Sequence, residues 1–163
     1  LLMGETVENI RTGLVSYTAS GMRQNIYEQD GYQIYADCYN ASPDAMEATL
    51  SVLGGMAGEG RRFAVLGSML ELGDYAEEGH RRAGRAAAQY ADALYAYGPD
   101  AAAMVAGARE KGMEHAYAFD DQTALVAALR EDAKKGDALL FKGSRGMRME
   151  RALAMFLGEE VEA

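Results

Sequence analysis

The chain has 163 residues, enough for one domain of ordinary size with its own hydrophobic core, or for one domain carrying a fragment of another. The single Cys38 excludes an intramolecular disulfide, and His80 and His115 lack metal-ligand spacing, so neither a disulfide framework nor a structural zinc site is expected. A net charge of -9 argues against nucleic acid as a partner, and no apolar run approaches the roughly 18 residues of a membrane span, so a soluble, cytoplasmic protein with no membrane partner is expected.

The opening Leu1-Leu2-Met3-Gly4 carries no start signal, which reads as the inside of a larger protein. Ile10, Leu14 and Tyr17 fall at helical spacing and predict a short amphipathic helix over about residues 5–17, ended by Thr18-Ala19-Ser20-Gly21. Two extended runs follow, Gln24 to Glu28 and Tyr32 to Ala36, with Asp30-Gly31 between them as a hairpin turn signal. Ser42 offers a capping oxygen, Pro43 suits a first helical position, and Met46, Leu50 and Leu53 share a face, so a helix is expected over about 43–57.

From there short apolar runs alternate with helical patterns. Phe63 to Gly67 reads as a buried strand, about 75–91 as a helix and Ala93 to Tyr97 as a strand. Pro99 opens a helix that Gly112 closes. Ala116 to Phe119 is a further strand, about 121–133 a helix with Leu125 and Leu129 four apart, Ala138 to Phe141 the last strand, and about Met147 to Leu157 the last helix. The alternation implies an α/β fold, a Rossmann-like, doubly wound and mostly parallel sheet with helices on both faces. Ligands in such folds sit beyond the carboxyl ends of the strands, which directs attention to the loops after Ala36, Leu66 and Phe141.

In the first loop, Asp37 at a strand end can accept hydrogen bonds from ribose hydroxyls, and Tyr39 and Asn40 could cover an adjacent base or phosphate. The same residues also make sense as a capped turn, with Asp37 and Asn40 bonding nearby backbone and Tyr39 packing. The second loop, Gly67-Ser68-Met69-Leu70-Glu71-Leu72-Gly73, matches neither the dinucleotide fingerprint nor the Walker pattern. It reads better as a glycine-bounded connection with Met69 and Leu72 buried and Glu71 at the rim. His80 reads as a partly exposed helix residue in preference to a catalytic base. In the third loop, Lys142-Gly143-Ser144-Arg145-Gly146 places two cations and a hydroxyl where a strand hands over to a helix. There the backbone can approach a phosphate or carboxylate closely; a solvated basic turn is the alternative.

Taken in order, Asp37-Cys38-Tyr39-Asn40-Ala41-Ser42-Pro43, then Val65 to Gly73 with His80, then Lys142-Gly143-Ser144-Arg145-Gly146-Met147-Arg148-Met149-Glu150 resemble the C-terminal signatures of the Mur ligases, in their D-alanyl-D-alanine-adding branch. The resemblance covers essentially the whole chain. It implies that residues 1–31 are the end of a central ATPase domain and residues 32–163 the complete third domain. It also implies an ATP-dependent ligase of peptidoglycan precursor synthesis, adding D-alanyl-D-alanine to UDP-N-acetylmuramoyl-tripeptide through an acyl phosphate. Carried over by motif, Asp37 becomes the ribose contact, with Arg23, Tyr39 and Asn40 beside the nucleotide. Lys142, Ser144 and Arg145 hold the dipeptide carboxylate or the developing phosphate charge, Lys142 and Arg145 in the catalytic role.

The sequence departs from that pattern where Ser68 and Ala36 stand in place of acidic residues; Ser42 replaces the more usual asparagine and should still cap its helix. No Gly-x-x-x-x-Gly-Lys-Ser/Thr loop occurs, nor the central-domain groups that hold Mg2+ in the family. ATP and Mg2+ are therefore expected to be held mainly by a central domain of the same protein, with no cofactor bound tightly by this chain and no ligase activity from this chain alone. Two alternatives are another ligase of the superfamily, of the folylpolyglutamate synthase kind, and a non-catalytic α/β binding module.

Overall fold

The computed structural model describes residues 6–9, 11, 24–56 and 58–159. Of the expected N-terminal helix, residues 7–9 and 11 are helical and residue 6 is not; residues 5, 10 and 12–17, and Arg23, lie outside the described residues. In chain order the elements are β1 (Asn25–Gln29), β2 (Tyr32–Asp37), α1 (Pro43–Gly54), β3 (Arg62–Gly67), α2 (Ala76–Tyr90), β4 (Ala93–Tyr97), α3 (Ala101–Glu110), β5 (Ala116–Phe119), α4 (Gln122–Asp132), β6 (Ala138–Lys142) and α5 (Met149–Leu157).

The strands form one sheet in the order β1-β2-β6-β3-β4-β5. β1 runs antiparallel to β2, and every other neighbouring pair is parallel. Asp30 and Gly31 both have positive φ, at 52° and 86°, as the mirror-image turn of a tight hairpin requires. Side chains alternate through the strands, so each strand feeds both faces. Ala64, Leu66 and Leu140 face α1, α2 and α3 with Met46, Leu50, Leu53 and Met104. Phe63, Val65 and Phe141 face α4 and α5 with Leu125, Leu129 and Phe156. Helices thus cover both faces of a doubly wound sheet, as the alternation predicts.

Helix ends follow local chemistry. Ser42 Oγ accepts the Ala45 N–H at 3.3 Å ahead of Pro43, so the serine does cap this helix. The helix expected to reach residue 57 stops at Gly54, where consecutive glycines favour leaving it. The last helix starts at Met149 instead of Met147, because Arg148 adopts left-handed φ of 48° between a short 3-10 turn and α5. Gln122 Nε2 holds that break from across the fold, donating to the carbonyls of Met147 at 2.9 Å and Arg148 at 3.2 Å. Helices α2 and α3 approach to backbone contact, and a Cβ on Gly84 would lie 1.8 Å from the Met104 carbonyl oxygen.

The insertion of β6 between β2 and β3 matters most for function. It sets the carboxyl ends of these three strands side by side, so the loops after Asp37, Gly67 and Lys142 meet at one rim.

Candidate functional site

Asp37 ends β2 and Lys142 ends β6, and the parallel register places them directly opposite one another. Lys142 Nζ donates to Asp37 Oδ2 at 2.5 Å and to the Asn40 carbonyl at 2.8 Å. Both residues are buried, with Lys142 only 1% exposed. A buried ammonium is tolerable only with such partners, and here they tie the turn after β2 to the end of β6. Thr49 Oγ1, from α1, lies 3.4 Å from the same carboxylate oxygen, with a shorter bond of 2.7 Å to the Ala45 carbonyl.

At the tip of the first loop Tyr39 and Asn40 are exposed, while Cys38 and Ala41 are buried. Asn40 Oδ1 accepts the following amide, Ala41 N–H, at 2.9 Å, so this residue does make the local turn bond that a capped loop requires. Tyr39 stands 44% exposed beside it. Between them and the sheet, the buried Cys38 thiol donates to the Phe141 carbonyl at 3.4 Å. Burial, then the charges of Glu150 and Asp37, push its pKa up to about 12, so it is a packed, protonated group and not a nucleophile.

In the third loop the structure separates the residues that the sequence groups together. Lys142 and Ser144 are buried, while the Arg145 side chain is 57% exposed and its Nη1 reaches Glu150 Oε1 at 3.3 Å. Glu150 Oε2 is buried and is without a hydrogen-bond partner among the described residues. The loop is therefore a solvated basic turn only at Arg145. Gly143 is needed for close approach, since a Cβ there would lie 2.7 Å from Met149 Cγ and 3.1 Å from Gly67 Cα.

The second loop packs against the third. Ser144 Oγ accepts the Leu70 N–H at 2.9 Å, and Ser144 N–H donates to the Ser68 carbonyl at 3.3 Å. Met69 is buried, Leu72 is half-buried, and Glu71 is exposed at the rim with left-handed φ of 67°. Ser68 is wholly buried, and its Oγ accepts the Asp100 N–H at 3.0 Å. It ties the turn after β4 into the same rim and presents nothing to solvent.

His80 departs from expectation. It is completely buried, not partly exposed, with Nε2 accepting the Met69 N–H at 2.8 Å and Nδ1 at 2.6 Å from the Ala76 carbonyl. The helical period carried the signal: His80, Ala83, Gly84 and Ala87 form the buried stripe of α2. What periodicity could not show is that the stripe ends under the second loop.

The rim therefore combines a buried ion pair that fixes two loops, a chain of side chains holding backbone amides, and an exposed fringe of Tyr39, Asn40, Glu71 and Arg145. Such a fringe can recognise a polar, charged small molecule. Among the described residues no group of three or more His, Cys, Asp or Glu is arranged to hold a metal ion.

A family model described as Mur ligase, glutamate ligase domain, matches residues 22–145. The UDP-N-acetylmuramoyl-tripeptide--D-alanyl-D-alanine ligase of Bacillus subtilis (strain 168) is 35% identical over 150 residues, covering 90% of this chain and 33% of that protein. The ligase of the same name from Synechocystis is 33% identical, covering 96% of this chain and 34% of its own length. Among solved structures, the MurF ligase from Thermotoga maritima in complex with ADP superposes with a TM-score of 0.81 at 34% identity, over 97% of this chain and 35% of that one. A bifunctional folylpolyglutamate synthase/dihydrofolate synthase superposes at 0.62 with 18% identity, a likeness of fold alone. The chain spans about a third of the length of the curated relatives it matches.

Proposed function

Because the chain belongs to the Mur ligase family, through its glutamate ligase domain, we propose that it is the C-terminal part of an ATP-dependent ligase that joins D-alanyl-D-alanine to UDP-N-acetylmuramoyl-tripeptide. On this reading residues 1–31 are the tail of the central domain, residues 32–163 form the third domain, and the protein works in the cytoplasm on peptidoglycan precursors. The observation that carries the proposal is the convergence of Asp37, Lys142, Ser144 and Arg145 at one rim, set by the pairing of β2 with β6. The 35% identity to a dipeptide-adding relative favours this substrate over glutamate.

The residues then divide the work. Asp37, with Oδ2 committed to Lys142, offers Oδ1 to a ribose hydroxyl, and Tyr39, Asn40 and Arg23 flank the nucleotide. Lys142 acts through Asp37 and Asn40, holding the nucleotide loop in place while contributing positive potential beneath it. Arg145 presents a planar guanidinium to the dipeptide carboxylate, and Ser144 adds a hydroxyl. ATP supplies the phosphoryl group that activates the tripeptide carboxyl, and the phosphate loop and Mg2+ ligands belong to the central domain. Closure of this rim over that domain brings the dipeptide amine to the activated carboxyl and keeps water away.

In the full-length protein, Arg145→Ala should raise the KM for D-alanyl-D-alanine about tenfold, with the KM values for ATP and UDP-peptide within about twofold of wild type. Asp37→Ala should weaken ATP use more than UDP-peptide binding, and glutamate should not drive phosphate release. Equal losses toward all substrates, or glutamate-driven release, would overturn the proposal.

A further inference from the structure

Two consecutive amides of the β3–α2 connection are each received by a side chain from another element. Met69 N–H donates to His80 Nε2 at 2.8 Å and Leu70 N–H to Ser144 Oγ at 2.9 Å. An imidazole nitrogen that accepts a backbone N–H carries no proton, so the ring proton of His80 sits on Nδ1, where the Ala76 carbonyl accepts it at 2.6 Å. Asp100 Oδ2 stands 3.7 Å from Nε2, beyond hydrogen-bond length, and its own amide is taken by Ser68 Oγ.

The ring is wholly buried in a stripe of alanine and glycine. Packing alone would accept any side chain of similar volume there. What histidine adds is a rigid acceptor and donor back to back, reaching from the helix carbonyl of Ala76 to the loop amide of Met69. Since Met69 and Leu70 are adjacent, fixing the first peptide fixes where the second meets Ser144. Ser144 N–H, bonded to the Ser68 carbonyl at 3.3 Å, closes the loop of contacts.

We infer that His80 is a positioning residue of the rim: as a neutral imidazole it clamps the Met69 amide, and through Leu70 it sets the Ser144 hydroxyl. Only the last link, that Ser144 faces the dipeptide, rests on the proposed function.

The test uses His80→Phe, which keeps a ring and removes the acceptor, and His80→Gln, whose Oε1 can take the Met69 N–H again. In this chain, nitrogen-15 NMR should show His80 with the proton on Nδ1. Amide exchange at both Met69 and Leu70 should rise at least about tenfold in His80→Phe and return to within about threefold of wild type in His80→Gln. A proton on Nε2, or faster exchange at Met69 with Leu70 unchanged, overturns the inference. Should His80→Phe fail to fold, the wild-type tautomer and the glutamine variant still decide. In the full-length ligase, His80→Phe should raise the KM for D-alanyl-D-alanine more than that for ATP, with rescue by glutamine. If the amides respond as expected and that KM does not, the clamp stands and the dipeptide assignment of Ser144 falls.

Discussion

Arg62 opens β3 and Lys142 closes the neighbouring β6, and these two cations are held in opposite ways. Arg62 forks onto Asp92 through Nε at 2.9 Å and Nη2 at 3.0 Å, with both side chains about a third exposed, at 34% and 36%. Beside it Arg61 bonds Asp132, and Asp137 takes the amides of Arg61 and Lys134. Lys142 has 2% of its side chain exposed and spends its bonds on a carboxylate and a loop carbonyl. At the amino ends of the strands, charge closes the fold in the presence of water. At the carboxyl ends it is buried to hold loops that carry the exposed fringe, and a buried charge is costly to orphan while a wet one is not.

The largest effect should come from breaking the buried pair. Lys142→Met leaves the Asp37 carboxylate buried alone and should lower the unfolding free energy by about 3 kcal/mol in urea denaturation. Adding Asp37→Leu should recover part of that loss, because the orphaned charge goes too. Arg62→Met should cost about 1 kcal/mol or less, since its pair is screened by solvent. Equal losses from the two lysine and arginine variants would erase the contrast between the ends.

Much of this architecture is legible in the sequence, and the reason is local. Strands Ala93–Tyr97 and Ala116–Phe119 lie where apolar runs between helical patterns put them, and Asp30-Gly31 makes the hairpin it signals. Which three loops to inspect follows from strand–helix alternation and the rule that ligands meet carboxyl ends. The state of Lys142 is not local: its carboxylate partner lies 105 residues away, and the two meet only because β6 inserts beside β2. Strand order is not written in hydrophobic periodicity. The same holds for the start of α5, displaced by a left-handed Arg148 that Gln122 secures from another helix. The burial of His80 was within reach of the helical period, but its bond to Met69 was not.

Acid should sharpen the contrast next. The hydrogen bond from Arg62 holds the Asp92 carboxyl below its usual range, and that from Arg61 does the same for Asp132. A depressed folded-state pKa gives stability that is fully present above the unfolded value of about 3.9 and is lost as pH falls through the folded values. Urea midpoints should therefore drop as pH falls below about 4, and Asp92→Asn with Asp132→Asn should flatten that limb by about 1 kcal/mol. An unchanged limb would place the acid-sensitive charge elsewhere and remove the amino-end pairs from the argument.

The smallest effect belongs to Tyr95, which joins the sheet core to the amino-end charges. Its ring stacks on Phe119 at 5.8 Å and meets Tyr117 at 5.3 Å, while its hydroxyl donates to Asp132 Oδ2 at 3.0 Å. Burial and then the Asp132 carboxylate raise its pKa, so the phenol keeps its proton and remains a donor. Tyr95→Phe preserves the stacking and removes one bond to a carboxylate that Arg61 still holds. The expected cost is about 0.5 kcal/mol, and the acid limb should move slightly toward higher pH because Asp132 loses a hydrogen bond that favours its ionised form. A loss as large as that of Lys142→Met would mean that Asp132 depends on the buried phenol more than on the wet guanidinium, and the amino end would then work by burial too.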